Sequence, residues 1–158
     1  MLAELAYIDR LQRKSNPPKF QFTSKELVEM ATVNPARLVR LDDRIGKLAS
    51  GYVADLIVMR RPLATNESAY DALIHQRPTD LLLVIIGGTP VFGEPKLMTR
   101  LLPNQKLEPF MICGQQRMIN ARVASYQDVP WSATEAKLQS ALAQYGISMA
   151  PLAEECTP

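Results

Sequence analysis

The chain has 158 residues, 47% of them hydrophobic and 22% charged, which excludes a disordered chain and suffices for a substantial core. Its net charge of +2 gives no case for a nucleic-acid-binding or membrane-binding protein. No apolar run approaches the ~20 residues that cross a bilayer, so we expect neither nucleic acid nor membrane as a partner.

The N-terminus and the cysteines predict a cellular location. Residues 1–10 contain Glu4 and Asp9, where a signal peptide has a basic start and an unbroken apolar core. Cys113 and Cys156 lie far apart, and neither forms a Cys-x-x-Cys pair. We therefore expect reduced thiols in a cytoplasmic protein, with a disulfide as the weaker alternative.

The first 44 residues have the spacing of helices. Apolar residues from Met1 to Arg13 recur with helical period, and the Ser-Asn-Pro-Pro run at 15–18 ends that helix. Thr23 to Glu26 has the pattern of a capping box that opens a second helix. Asn34 suits the N-cap of a third helix, with Pro35 in the first turn, where no amide proton is needed.

Strand patterns begin after residue 45. Gly46 and Gly51 bracket a turn and are expected to need positive φ. Val53 to Met59 predicts a strand that is buried on both faces, because Leu56-Ile57-Val58 does not alternate with polar residues. Leu81 to Gly87 predicts a second strand, and the turn after it leads to a short partner at 91–92, as in a hairpin. A helical turn is expected at 70–75.

The residues after Gly93 predict short elements. Pro95 to Leu102 fits a short helix, and 110–113 and 118–123 are candidate strands on either side of Gly114. Trp131 to Tyr145 predicts an amphipathic helix with Ser132 as its cap and Gly146 as its stop. Its expected apolar face carries Leu138, Ala141, Leu142 and Tyr145.

Three motifs occur in a characteristic order. Ala31 to Ala36 reads Ala-Thr-Val-Asn-Pro-Ala, and Gly46 to Asp55 has the pattern Gly-x-Leu-x-x-Gly-x-x-Ala-Asp. Leu81 to Phe92 is a hydrophobic strand with a glycine turn and a hairpin partner. Over roughly residues 20–95 this resembles metal-dependent amidohydrolases of the cytosine deaminase and imidazolonepropionase type, where the chain leaves the catalytic barrel for a small β-sandwich.

The resemblance implies an α+β fold: a partial β-sandwich, the composite domain of amidohydrolases, with flanking helices, from the end of a TIM-barrel enzyme. Residues 1–44 would correspond to the last helices of the (β/α)8 barrel, 45–95 to sandwich strands, and 96–158 to a C-terminal extension with short strands and a helix. The other sandwich strands would come from the beginning of a full-length chain. We therefore expect exposed pairing edges, and a homo-oligomer or pairing with the missing barrel and sandwich portion.

The resemblance also implies what this chain lacks. Such enzymes hold one or two divalent metals, such as zinc, on a His-x-His pair, two further histidines and an aspartate. The chain has a single histidine, His75, so none of these ligands can be assigned to it. We expect no catalytic, cofactor-binding or metal-binding residue in the chain, which would begin just after the active site ends.

A metal site of another kind is not favoured, because His75, Cys113 and Cys156 show no ligand spacing. His75 is expected at the surface or at a helix end. Cys113, with Arg117 nearby in sequence, could be an activated thiol, but a buried inert thiol is the commoner case.

The remaining polar candidates have structural interpretations that we prefer. Asp55 could act as a base, but a lone acid fits better as a residue that caps a turn at the start of a strand. Ser132 and Ser140 have no histidine partner that would make them nucleophiles. The arginines at 37, 40 and 44 fit a solvated face of mixed charge.

Two functions remain open from the sequence. The first is the C-terminal segment of an amidohydrolase that acts on carbon–nitrogen bonds other than peptide bonds, inactive alone because the metal ligands are absent. The alternative is a stand-alone, non-catalytic β-sandwich module for interaction or oligomerisation. The sequence does not identify the substrate, because in this family the loops of the barrel determine substrate specificity.

Overall fold

The computed structural model describes residues 2–14, 21–60, 67–121 and 129–148. The chain divides into two compact units: a helical unit, Met1–Asp55 with Met59–Gln76, and a sheet unit, Leu56–Val58 with Arg77–Pro158. The α+β class is therefore confirmed. In the described part of the chain, no helix combines the length and apolarity of a membrane span.

The described residues of the helical unit form four helices, and each lies where the sequence predicts one. They are α1 (Leu2–Lys14), α2 (Ser24–Ala31), α3 (Val33–Leu38) and α4 (Ala69–Ile74). Leu5, Leu27 and Ile74, from α1, α2 and α4, form the core, and Ile8 and Phe22 pack against it. The apolar faces of short helices are thus buried against each other, which is the main source of stability for helices of this length.

Side-chain caps fix where these helices begin. The capping box at α2 is confirmed: Thr23 Oγ1 accepts from the Glu26 backbone N–H, and the Glu26 carboxylate accepts from the Thr23 N–H. The prediction of Asn34 as an N-cap is wrong, because α3 already begins at Val33 with Thr32 before it. Pro35 does lie in the first turn of α3, as predicted.

The chain after α3 turns back closely on the helices. Ile45 N–H donates to Leu41 O at 2.9 Å, and Val53 N–H donates to Arg44 O at 2.8 Å. Gly46 has φ of +88°, and a Cβ there would lie 3.0 Å from both the Ala36 Cβ and the Thr32 carbonyl oxygen. A side chain at this position would therefore be strained in its backbone and crowded by its neighbours.

Within the described ranges, the sheet unit contains a five-stranded open sheet with the strand order β1-β2-β3-β5-β4. The strands are β1 (Leu56–Met59), β2 (Leu81–Ile86), β3 (Thr89–Gly93), β4 (Glu108–Ile112) and β5 (Gln115–Ile119); a 3-10 turn spans Pro78–Asp80, and the helices are α5 (Pro95–Leu101) and α6 (Trp131–Ala143). The predicted strand at 118–123 thus begins earlier, and its last two residues lie outside the described part.

The hairpin of β2 and β3 is confirmed as an antiparallel pair. Gly87 and Gly88 form its two-residue turn with φ of +55° and +81°, the conformation that matches the twist of the flanking strands. Between Val84 and Ile85 the register shifts, opposite Pro90, which cannot donate to the ladder. β3/β5 and β4/β5 are also antiparallel pairs.

The described strands form one open sheet, so the second layer of a sandwich stays a prediction. The prediction that β1 is buried on both faces is wrong: Ile57 is 41% and Val58 39% exposed. Because β1 stands at the edge of the sheet, it has a neighbouring strand among the described residues on one side only. An apolar run alone does not distinguish such an edge strand from a central one.

The C-terminal helix is held at its first turn. The prediction of Ser132 as the N-cap is wrong, because Pro130 occupies that position and the Glu108 carboxylate of β4 accepts from the Trp131 and Ser132 N–H groups. Trp131 also packs edge-to-face on Phe110. The predicted apolar face is largely solvent-exposed, with Leu138 at 48% and Tyr145 at 80%.

The buried Arg117 ties β5 to the segment that leads into β2. The residue is 3% exposed, and its guanidinium donates to the carbonyl oxygens of Thr79 (2.6 Å) and Leu81 (3.3 Å) and to the Gln115 side chain (2.9 Å). Carbonyl dipoles therefore satisfy a charge that would otherwise be costly to bury.

The cysteine prediction is wrong for Cys113, which is disulfide-bonded. The residue lies between β4 and β5 with φ of +48° and precedes Gly114, at +74°. Cys156 lies outside the described residues. The disulfide removes the argument from reduced thiols for a cytoplasmic location, and the argument from the N-terminal sequence stays a prediction.

Alanine substitutions at Gly46 and Gly51 should separate backbone strain from crowding. Both glycines have φ near +85°, but a Cβ at Gly51 would meet nothing within 4 Å. Gly51→Ala should therefore cost about 1–2 kcal/mol for the left-handed conformation, and Gly46→Ala about 1–3 kcal/mol more for overpacking. Urea unfolding monitored by circular dichroism measures both, and equal losses would contradict the close approach at Gly46.

Candidate functional site

The helical unit contains an open cleft of about 650 Å³. It is bounded by α1 and by the N-terminal ends of α2 and α4, and most of the residues that line it are polar or charged. Among the residues that line it are Asp9, Gln12, Arg13, Phe22, Ser24, Ser68 and Asp71. A cleft with polar lining residues and two carboxylates is a candidate binding or catalytic site.

Asp9, in the middle of α1, is the most deeply buried carboxylate described, with 4% of its surface exposed. Its Oδ2 accepts from Arg13 Nε at 2.7 Å and from His75 Nε2 at 2.9 Å. Its Oδ1 accepts from Gln12 Nε2 at 3.2 Å. Burial raises the pKa of Asp9, but the hydrogen bonds from His75, Arg13 and Gln12 outweigh it and hold the pKa below the ordinary value.

Gln12 extends this network to the backbone. Its Nε2 also donates to the Phe22 carbonyl oxygen, and its Oε1 accepts from the Phe22 N–H, both at 2.8 Å. A side-chain amide thus satisfies both polar groups of one backbone residue, just before α2 begins. Together with Asp9 it connects α1 to the entry of α2 and, through His75, to the end of α4.

Asp71 is the second carboxylate of the cleft. It belongs to the capping box of α4, where Asp71 Oδ2 accepts from Ser68 Oγ at 2.5 Å and from the Ser68 N–H at 3.3 Å. Its Oδ1 accepts from the hydroxyl of Ser24, the first residue of α2. The bonds from Ser24 and Ser68 hold the pKa of Asp71 below its ordinary value.

Among the described residues of the cleft, these bonds do not pair a nucleophile with a general base. Ser24 donates to a carboxylate, while His75 donates to Asp9, so neither arrangement joins a hydroxyl to an imidazole. Both carboxylates stay ionised at neutral pH, and a general base with a lowered pKa is a weak one. The geometry is that of a polar network that joins three helices.

The residues do not fit a divalent metal either. The oxygens of Asp9 are taken by Arg13, His75 and Gln12, and the Arg13 cation would repel a second positive charge. Across the described ranges, no three residues among His, Cys, Asp and Glu come together as ligands. The metal that the resemblance implies therefore has no place in this network.

The residues that line this cleft do not include the predicted candidates, although one of them, His75, contacts Asp9. His75 is at a helix end, as predicted: it is the C-cap of α4, with its side chain 39% exposed. Asp55 is exposed just before β1, and its predicted role as a turn cap stays a prediction. Ser132 donates to Glu108 in the sheet unit, and Ser140 is exposed on α6. The arginines at 37, 40 and 44 are exposed, as a solvated face requires.

Sequence reasoning missed Asp9 and Asp71, although both have a local signal. Ser68-x-x-Asp71 is a capping-box pattern with aspartate in place of glutamate. Asp9, Gln12 and Arg13 stand at i, i+3 and i+4, the spacing that puts side chains on one face of a helix. No local pattern predicts that His75, 66 residues later, reaches Asp9.

The chain belongs to the amidohydrolase family, because the family model matches residues 1–91 of its 158 residues. The match extends over all four helices of the helical unit, through β1 and β2 and into β3. A search of curated proteins finds no significant match. Membership indicates a hydrolase-type function.

The Asp9 network predicts a pH-dependent stability. Because the pKa of Asp9 is lowered on folding, its contribution is full above the unfolded value of about 3.9 and is lost as the pH falls through the folded value. Asp9→Asn should cost about 1.5–3 kcal/mol at pH 7, the worth of hydrogen bonds to a charged group. The difference from the wild type should shrink below about pH 4.

Denaturant unfolding at a series of pH values measures this difference. Glu29→Gln is the matched control, because the Glu29 side chain lies in an exposed ion pair with Lys25 at 3.7 Å. That change should cost less than about 0.5 kcal/mol at any pH. A loss for Asp9→Asn that did not depend on pH would contradict the role of the ionised carboxylate.

Proposed function

We propose that this chain is the C-terminal part of a metal-dependent amidohydrolase of the cytosine deaminase or imidazolonepropionase type. The complete enzyme would hydrolyse a carbon–nitrogen bond other than a peptide bond, by deamination of a ring or by opening of an amide. The observation that carries the proposal is the family match over residues 1–91, which includes the first two motifs and all but the last residue of the third.

Physical contact between two of the motifs supports the proposal. The Ala31–Ala36 motif forms the junction of α2 and α3, and Ala36 is 2% exposed. Gly46, the first residue of the second motif, lies directly against it, at Ala36 and at the Thr32 carbonyl. Small residues are required on both sides of such a contact, which gives a steric reason for the two motifs to occur together.

In this proposal the catalytic metal is held by residues outside the 158 residues. A metal bound there would supply hydroxide near neutral pH. The helices of this chain would contribute structure: their core and the Asp9 network fix the segment that leads from a barrel into the sheet. The one histidine is already engaged in that network, which agrees with a non-catalytic role.

Location and partners belong to the proposal as well. We propose a cytoplasmic enzyme in which this chain pairs with a barrel and the remaining sandwich strands. The alternative is a stand-alone module without catalytic activity, which the open sheet with its exposed edge strand would serve.

The mass of the native gene product tests the proposal. An antibody raised to this chain should detect, in the source cells, a protein larger than 17.6 kDa by about a barrel of 250 residues. Peptide mapping of the precipitated protein should place a His-x-His pair upstream of Met1. A native product of 17.6 kDa would contradict the proposal and favour the stand-alone module.

A further inference from the structure

Cys113 occupies the tight turn between β4 and β5. Ile112 and Gln115 form the last cross-strand pair of this hairpin, so Cys113 and Gly114 are its two central residues, with φ of +48° and +74°. Asparagine, aspartate and glycine are the residues that such a turn prefers, so the backbone gives no reason for a cysteine here. The sulfur of Cys113 is instead engaged in a disulfide bond.

The sequence restricts the partner of Cys113 to one residue within the chain. The chain contains two cysteines, and the other one is Cys156. A bond between them would close a long loop that contains β5 and α6. Such a cross-link limits the conformations that the looped segment can reach when it detaches or unfolds, and the effect grows with the length of the loop.

α6 is the element of that loop with the most to gain from a second attachment. At its first turn, the Glu108 carboxylate of β4 accepts from the N–H groups of Trp131 and Ser132. Beyond that turn the helix is open to solvent, because among residues 136–148 Leu142 is partly covered and all others are exposed. A helix of this length that buries so little surface is marginal by itself.

The two attachments lie at opposite ends of one strand. Glu108 is the first residue of β4, and Cys113 follows its last residue, Ile112. A bond to Cys156 would therefore tie the C-terminal segment to β4 at the start of α6 and again beyond its end. The exposed turns of the helix would then lie between two fixed points.

We propose that Cys113 and Cys156 of the same chain form a thiol–disulfide clasp that holds α6 to the β4–β5 hairpin. A dithiol reductant opens the clasp: the S–S bond breaks, each cysteine sulfur gains one electron and one proton, and the dithiol becomes a disulfide. Gly114 and Gln115, beside Cys113, are exposed, which places the bond within reach of such a reductant.

The clasp makes the hold on α6 depend on the thiol redox state of the surroundings. Disulfides that form in a cytoplasmic protein are usually transient or redox-sensing, because glutathione and thioredoxin keep thiols reduced there. The clasp uses only groups of this chain, so it does not require the proposed hydrolase role.

Peptide mapping of the complete 158-residue chain, purified and alkylated without reductant, tests the pairing. Trypsin should release residues 107–117 joined to residues 138–158, and this species should separate into two peptides when dithiothreitol is added. On a non-reducing gel the chain should run as a monomer of 17.6 kDa. Two alkylated thiols in the untreated chain, or a disulfide-linked dimer, would overturn the clasp and leave the hydrolase proposal intact.

The rate of trypsin cleavage after Lys137 measures the hold on α6, because Lys137 is exposed within that helix and cleavage requires the helix to open locally. Reduction should raise this rate about tenfold, whereas cleavage after the exposed Arg100 of α5, outside the loop, should stay within about twofold. Reducing gels separate the fragments, so the disulfide does not hide the cut. An unchanged rate at Lys137, or an equal rise at Arg100, would overturn a local hold on α6.

Serine substitutions separate the clasp from other effects of the reductant. Without reductant, Cys156→Ser should be cleaved after Lys137 as fast as the reduced wild type, to within about twofold, and should not respond to dithiothreitol. Cys113→Ser should behave in the same way. Thr157→Ala is the matched control in the same segment and should keep the slow rate. Circular dichroism of each variant checks the fold, and a Cys156→Ser chain that kept the slow rate would overturn the proposal.

Discussion

The close contact between Gly46 and the junction of α2 and α3 determines the path of the chain after the helices. The backbone of Gly46 approaches Ala36 and Thr32 so closely that a Cβ would touch both, and it does so with positive φ. Since only glycine combines this conformation with this small volume, one residue sets where the chain leaves the helices. Further along the same segment, the Val53 N–H donates to the Arg44 carbonyl oxygen.

The positions of most helices and strands were predictable, because their signals are local. The capping box at Thr23, the paired glycines at 87–88 and the helical spacing in α1 each define an element within a few residues. The predictions that failed concern contacts between distant residues. Glu108 replaces Ser132 at the start of α6, and the edge position of β1 exposes Ile57. The sequence of a helix does not show that a residue of a distant strand caps it, and the sequence of a strand does not show whether it lies at the edge of its sheet.

The candidate site was predictable only in part. The sequence correctly places His75 at a helix end, and the family pattern correctly points to amidohydrolases. The network around Asp9 was missed, because it needs His75 and Asp9 to meet across 66 residues. Its components are ordinary helix residues, and tertiary packing alone turns them into a buried, ionised cluster.

The pKa values of both carboxylates in this cluster are lowered by their hydrogen bonds. A carboxylate that transfers protons at neutral pH needs a raised pKa, and a buried site provides one when desolvation outweighs hydrogen bonding. At Asp9 the balance is reversed, because three donors outweigh burial, and at Asp71 two serines act in the same direction. Both groups therefore remain charged acceptors that hold helices together. A cleft, two carboxylates and a histidine resemble a catalytic site in composition, but the hydrogen bonds of Asp9 and Asp71 join the helices to each other.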